Sequence, residues 1–305
     1  PLPALHFCSP LRTYGMLYRK EIDGLRSLAV VPVILFHAGS QWFSGGFVGV
    51  DIFFVISGYL IATKLTEDID NQRFSLWDFY ERRVRRIIPA LLVVLLVSIF
   101  FARLVLLPAD IKVFSKSLLA TLFFYSNIYF YKQSGYFDVS GELKPLLHTW
   151  SLSLEEQFYI VFPLLIYLLL SRSRKATFGI FLLLALISLG YAQSIVGKQQ
   201  DFAFYMLQAR AWEFLIGVLV SLSTFKHWAA QRPAKLRAGL ALSGLLLILG
   251  SIFFIDRTQP FPGLLALPAT LGAGLLIAFA SSENTAGKFL SSPPLVGIGL
   301  ISYSA

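Results

Sequence analysis

Sulfur and charge are scarce in this chain. Its one cysteine, Cys8, has no internal partner for a disulfide, and no spacing of cysteine and histidine resembles a zinc site. No metal is expected. Charged residues make up 14% of the 305 positions, roughly half of the about 25% typical of soluble domains. That composition excludes a disordered chain, a coiled coil, a collagen-like repeat and a secreted disulfide scaffold. Apolar residues are what is abundant, at 56% of the chain, with a mean hydropathy of +0.69. A net charge of +9 would suit nucleic acid in a polar protein. In a chain this apolar, lysine and arginine instead mark the cytoplasmic loops of a membrane protein, and no nucleic-acid partner is expected. The fold class is all-α and polytopic, with the lipid bilayer as solvent.

A membrane span needs about 20 mostly apolar residues. Apolar segments run over 25–38 (short, extendable towards 43), 47–65, 87–107, 113–131, 150–170, 176–196, 209–225, 238–255 and 261–280, with an incomplete one at 294–305. No cleavable signal peptide is evident, and residues 1–17 read as an N-terminal tail ahead of a domain over 18–305. The densest basic run is Arg82, Arg83, Arg85 and Arg86, which places the connection after the second span in the cytoplasm. The N-terminus is then cytoplasmic too, and the uncharged 39–46 turn lies outside. If 113–131 crossed fully, Arg172, Arg174, Lys175 and the basic stretch 226–237 would all lie outside. A re-entrant or surface-lying 113–131 returns each of them to the cytoplasm, and such backbone is tolerated where protein or a cavity surrounds it. The expectation is about nine crossings of ten or more, in a domain cut short at its C-terminal end.

Ionisable groups inside spans cost about 2.5–3.5 kcal/mol each and are functional candidates by default. In the first span, Arg26, Val30, Val33 and His37 share one helical face, putting His37 near the outer end. A neutral imidazole there can take a proton from a hydroxyl, or simply pack against a neighbouring helix. Asp51 can orient His37 or pair with an arginine. Ser57 lacks the Gly-x-Ser-x-Gly context of a nucleophile elbow and sits beside Gly58 as a helix-packing serine would. Arg82/Arg85 and Arg83/Arg86 are i, i+3 pairs able to clamp phosphates with forked donors, or to signal topology and bind anionic lipid. Adjacent Glu155 and Glu156 near the start of an apolar helix are hard to place against lipid. Arg210 and Glu213 are spaced to pair within one helix. These parts suit proton abstraction near one membrane face and phosphate binding near the other; they would equally serve a proton-coupled transporter or flippase in which His37, Asp51 and Glu155 carry protons.

Six segments in order resemble the membrane acyltransferase family 3: YRKEIDGLRSLA at 18–29, FHA at 36–38, GGFVGVDIFFVISGYL at 45–60, FYERR at 79–83, LHTWSLSLEEQFY at 147–159 and RAWE at 210–213. The wording is most similar to the bacterial subgroup that O-acetylates surface polysaccharide such as lipopolysaccharide O-antigen. That resemblance implies an inner-membrane enzyme taking an acetyl group from cytoplasmic acetyl-CoA to a hydroxyl of an envelope polysaccharide or its lipid-linked precursor. It implies a catalytic His37 held by Asp51 or Glu155, and a donor held by Arg82, Arg83, Arg85, Arg86 and Arg26. The substrate would meet Ser57, Tyr59, His148, Trp150 and Ser153, with Ser57, Tyr59 and Tyr159 as candidates for an acyl-enzyme. It also implies a further helix and an extracytoplasmic SGNH-type domain in the full-length chain. A domain that merely anchors or feeds such a partner is the remaining alternative.

Overall fold

The computed structural model describes residues 18–134, 144–256 and 258–302. The tail at 1–17, with Cys8, and residues 303–305 lie outside them. Described residues are helical or loop throughout. The first helix, α1 (Lys20–His37), carries Glu21 and Asp23 in its first turn, where carboxylates favour the positive end of the helix dipole. A loop closed by Gly39, at φ 80°, leads to α2 (Gly49–Asp70). Next, α3 (Leu76–Val105) is capped by Ser75, whose hydroxyl accepts from the Asp78 amide at 3.2 Å. The short helices α4 (Pro108–Leu122) and α5 (Ser126–Gln133) follow. After them come α6 (Thr149–Leu170), α7 (Arg174–Ile195), α8 (Gln200–Tyr205) and α9 (Leu207–Ser221). The chain continues through α10 (Ser223–Ala230), α11 (Ala234–Phe254), α12 (Leu267–Phe279), α13 (Thr285–Leu290) and α14 (Pro293–Ile301).

Among the described residues, five helices are long and apolar enough to cross a membrane: Gly46–Asp70, Leu76–Val105, Thr149–Leu170, Arg174–Ile195 and Ala234–Phe254. The expected count of about nine is therefore not reached by continuous helices, and the shortfall has local causes. The 25–38 segment begins earlier, at Lys20, in a helix of 18 residues whose first turns carry charge. The 113–131 segment is broken where Phe124 takes a left-handed φ of 54°, leaving helices of 15 and 8 residues, each too short to span alone. Leu222, extended at φ −68° and ψ 143°, ends the 209–225 helix early. In 261–280, Pro262 and the left-handed Gly263 (φ 123°) delay the helix to Leu264.

At the centre α2 is packed against α1, α6, α9 and α12. Its closest approach is to α9. A Cβ added to Gly58 would lie 2.0 Å from the Phe214 carbonyl oxygen, and one on Gly217 would lie 2.0 Å from that of Val55. Backbones this close require residues without a side chain, the usual means by which membrane helices associate when lipid supplies no hydrophobic drive between them. By contrast α3 and α7 present Val93, Leu96, Phe100, Leu183 and Ile187 outwards, the apolar exposure expected of a lipid-facing surface.

Candidate functional site

The α2–α9 seam carries a buried charge cluster. Asp51 enters from the first turn of α2 and Arg210 and Glu213 from α9. One guanidinium nitrogen, Arg210 Nη1, stands 3.0 Å from Asp51 Oδ1 and 3.2 Å from Glu213 Oε1, with all three side chains essentially sealed from solvent. Phe54, Trp150, Phe204 and Phe261 surround the cation with ring centroids 5.4–5.8 Å from Cζ. Aromatic faces supply the negative potential that a desolvated guanidinium lacks. Asp51 thus meets an arginine, the second of the two partners its position allowed, and the expectation that it holds His37 is corrected. The physical reason is the Gly58–Gly217 contact, which brings α9, rather than the end of α1, against this face of α2.

Six residues further along α2, about 9 Å in depth, Ser57 faces α6. The Ser57 and Tyr159 hydroxyls both donate to Glu155 Oε1 and also touch each other. Arg83 turns inward from α3 and lays its guanidinium over the Tyr159 ring, 3.7 Å from the centroid, within the electrostatic reach of Glu155 and Glu156. Tyr80 ties the same turn of α3 to α6 by donating to the Ile160 carbonyl at 3.0 Å. Glu155 is therefore engaged by Ser57 and Tyr159, and it does not hold His37 either. The sequence marks Tyr159 as a candidate but not its stacking with Arg83, because an arginine and a tyrosine 76 positions apart carry no shared local pattern.

His37 closes α1 at an exposed position. Its Nδ1 lies 2.8 Å from the Val33 carbonyl, which can only accept, so in the neutral ring the proton is on Nδ1 and the lone pair on Nε2. His148, at the mouth of α6, is close enough to feel His37. The protein around it, and then His37, hold its pKa below the usual 6.5, so it is neutral at pH 7.

The arginine run divides. Arg82 reaches Asp68 Oδ2 at 3.3 Å while Lys64 takes Asp68 Oδ1 at 2.9 Å, and Arg85 pairs with Glu81 at 2.6 Å. Both are exposed, as is Arg86, while Arg83 is the inward member. Of the two i, i+3 pairs the sequence offers, neither stays together: Arg83 is half-buried over the Tyr159 ring, while Arg82, Arg85 and Arg86 form an exposed rim. Arg26 stays on α1 with Asp23, 3.8 Å away. Among the residues assigned to substrate, Trp150 is 7% exposed within the Arg210 cage and Ser153 is 1% exposed, its hydroxyl 2.7 Å from that of Ser126 on α5. In this structure these two build walls. Tyr59 is also buried and accepts from Arg19 Nη1 at 3.4 Å. Among the described residues, no group of three or more His, Cys, Asp or Glu is arranged to hold a metal.

Compared with known protein families, residues 19–305 match the acyltransferase domain. The chain belongs to this family. It is similar to the peptidoglycan O-acetyltransferase OatA of Listeria monocytogenes, at 36% identity over 306 residues that take in 95% of this chain and 48% of the relative. It is similar also to the O-acetyltransferase OatA of Staphylococcus aureus, at 33% over 304 residues, covering 96% of this chain and 50% of the relative. A putative O-acetyltransferase of Staphylococcus aureus is 35% identical over 303 residues, covering 95% and 50% respectively. The chain spans about half the length of the curated relatives it matches. None of these names carries lipopolysaccharide, so the O-antigen acceptor drawn from sequence wording finds no support in them. No solved structure matches the chain. With its long apolar helices, this acyltransferase-family domain is a multi-pass membrane protein.

Proposed function

We propose that the chain moves an acetyl group from cytoplasmic acetyl-CoA to a hydroxyl of a cell-envelope glycan in a bacterial cytoplasmic membrane. Peptidoglycan, named in the Listeria relative, is the acceptor class favoured over lipopolysaccharide. The observation that carries this reading is the polar array inside an apolar bundle: Arg83 stacked on Tyr159, with Tyr159, Glu155 and Ser57 converging behind it. Polar groups that deep are retained for function far more often than for stability.

In this reading the exposed arginines at the start of α3 hold the donor's phosphates, for which forked donors are suited. The flexible arm brings the thioester inward past Arg83. At the other end of α1, His37 Nε2 accepts the proton of the glycan hydroxyl. The freed oxygen attacks the thioester carbonyl, the carbon–sulfur bond breaks, and the sulfur leaves as the CoA thiolate, which takes up a proton. His148, neutral at pH 7, adds no competing positive charge beside this base. Positioned general-base catalysis contributes about 10²–10⁴-fold. His37→Ala should therefore lower acetyl transfer from acetyl-CoA to a peptidoglycan oligosaccharide by at least about 100-fold, with unchanged membrane yield. Transfer at the wild-type rate would remove His37 as the base.

A further inference from the structure

A cavity of about 310 Å³ opens on the opposite face of α2 from the Arg83–Tyr159 array. Tyr59 lines it and Ser57 does not, as their 200° separation around the helix requires. Its wall carries three cations: Arg19 ahead of α1, Lys226 on α10 and Arg237 in the first turns of α11, with Phe225 and Ile277 supplying apolar surface. No acidic side chain lines it. Glu21 Oε2 stands 4.0 Å from Arg19 Nε. Arg19 spends its own donors on the Ile277 and Ala280 carbonyls, at 2.8 and 3.2 Å, and on Tyr59. Lys226 faces only the Tyr59 ring, 5.8 Å from the centroid. Arg237 Nε is buried without a hydrogen-bond partner.

Three like charges around one cavity repel each other, and a buried donor left unpaired loses the hydrogen bond it had to water. Arg237 is also misplaced for helix stability: the start of α11 has no acidic residue, although the dipole favours negative charge there. A bound anion would relieve all three penalties together. Tyr59 and Phe225 add flat surface beside the charges. The cavity sits where α1 begins and α12 ends, the same end of the bundle as the arginine run that opens α3.

We propose that this cavity binds a phosphate ester, separately from the Arg82–Arg86 run. The ligand's chemistry has two sources at this membrane face: the phosphorylated nucleotide end of the acyl donor, or the headgroup of an anionic phospholipid. The first source rests on the acyl-CoA reading above; the second does not.

The full chain in lipid nanodiscs tests this. One arm titrates adenosine 3′,5′-bisphosphate into discs of phosphatidylcholine. The other compares thermal midpoints in phosphatidylcholine and phosphatidylglycerol discs without nucleotide. Lys226→Gln, an exposed position whose loss does not threaten folding, and the Lys226→Gln/Arg237→Gln pair are set beside wild type, with Lys226→Arg as the charge-keeping control. At least tenfold weaker bisphosphate binding in the Gln variants, restored by Lys226→Arg, supports the site with a nucleotide occupant. Loss of the phosphatidylglycerol-dependent shift supports it with a lipid occupant. Unchanged behaviour of Lys226→Gln in both arms overturns it. Acetyl-CoA hydrolysis by wild type in the same discs keeps the two readings apart. Turnover alongside an unresponsive Lys226→Gln sinks this inference alone, and absent turnover alongside Lys226-sensitive binding sinks the acyltransferase reading alone.

Discussion

Arg210 shows how much a single side chain can hold in place here. It stands between Asp51 and Glu213 and inside four aromatic rings, so its removal leaves two sealed carboxyl groups with no cation. Breaking a buried ion pair by deleting one partner costs about 3–5 kcal/mol, whereas replacing the whole set by apolar or neutral groups is often near neutral. Arg210→Ala should therefore lower the thermal midpoint sharply. The triple variant Arg210→Met/Asp51→Asn/Glu213→Gln should recover most of that loss, and an unfolding curve for each measures it. A triple variant as unstable as Arg210→Ala would mean that the cluster acts by packing rather than charge. From the sequence, the i, i+3 pairing of Arg210 with Glu213 was legible because both lie on one helix. The third member, Asp51, was legible only as a residue in need of some partner.

Between helices, the α2–α9 seam decides where those side chains meet. Gly58 and Gly217 each abut a carbonyl oxygen of the facing backbone, so a side chain at either forces the two helices apart and draws Asp51 away from Arg210. Overpacking of this kind typically costs about 1–3 kcal/mol or more. Gly58→Val or Gly217→Val should reduce the yield of folded protein and acetyl-CoA turnover together. Gly179→Ala, at a helical glycine with nothing within 4 Å, should leave both unchanged or raise stability slightly, since alanine is the better helix former. Equal damage from the α7 control would show that α2–α9 proximity is not what the glycines protect. The small residues at 58 and 217 stand in plain view in the sequence, yet nothing local marks them as partners, because helix contacts depend on which faces turn towards each other in space.

For the protein in its membrane, orientation follows from the basic connections. Arg73 lies exposed between α2 and α3, and Trp42, 82% exposed, lies in the uncharged turn between α1 and α2. In a Cys8→Ser background, Arg73→Cys should react with a membrane-impermeant maleimide only after cells are opened, and Trp42→Cys should react in intact cells. The reverse pattern would invert the topology and move the arginines at the start of α3 outside.

Hydropathy and charge run along the chain, so the sequence alone was enough for an all-helical membrane protein and the basic connection between α2 and α3, though it put about nine crossings where five helices are long and apolar enough to span. Those properties are local: an apolar stretch favours lipid whatever lies beside it, and a lysine resists translocation wherever the loop goes. Where a helix breaks was less legible, because single backbone conformations at Phe124 and Leu222 interrupt runs that composition reads as continuous. Folding in three dimensions settled the pairings: Asp51 with Arg210 rather than His37, Glu155 with Ser57 and Tyr159, Arg83 inward among outward arginines, and three distant cations around one cavity. Apart from the Glu155–Tyr159 contact within α6, each joins groups on different helices, and their meeting depends on the rotation and spacing of those helices, which for α2 and α9 the close backbone contact at Gly58 and Gly217 sets.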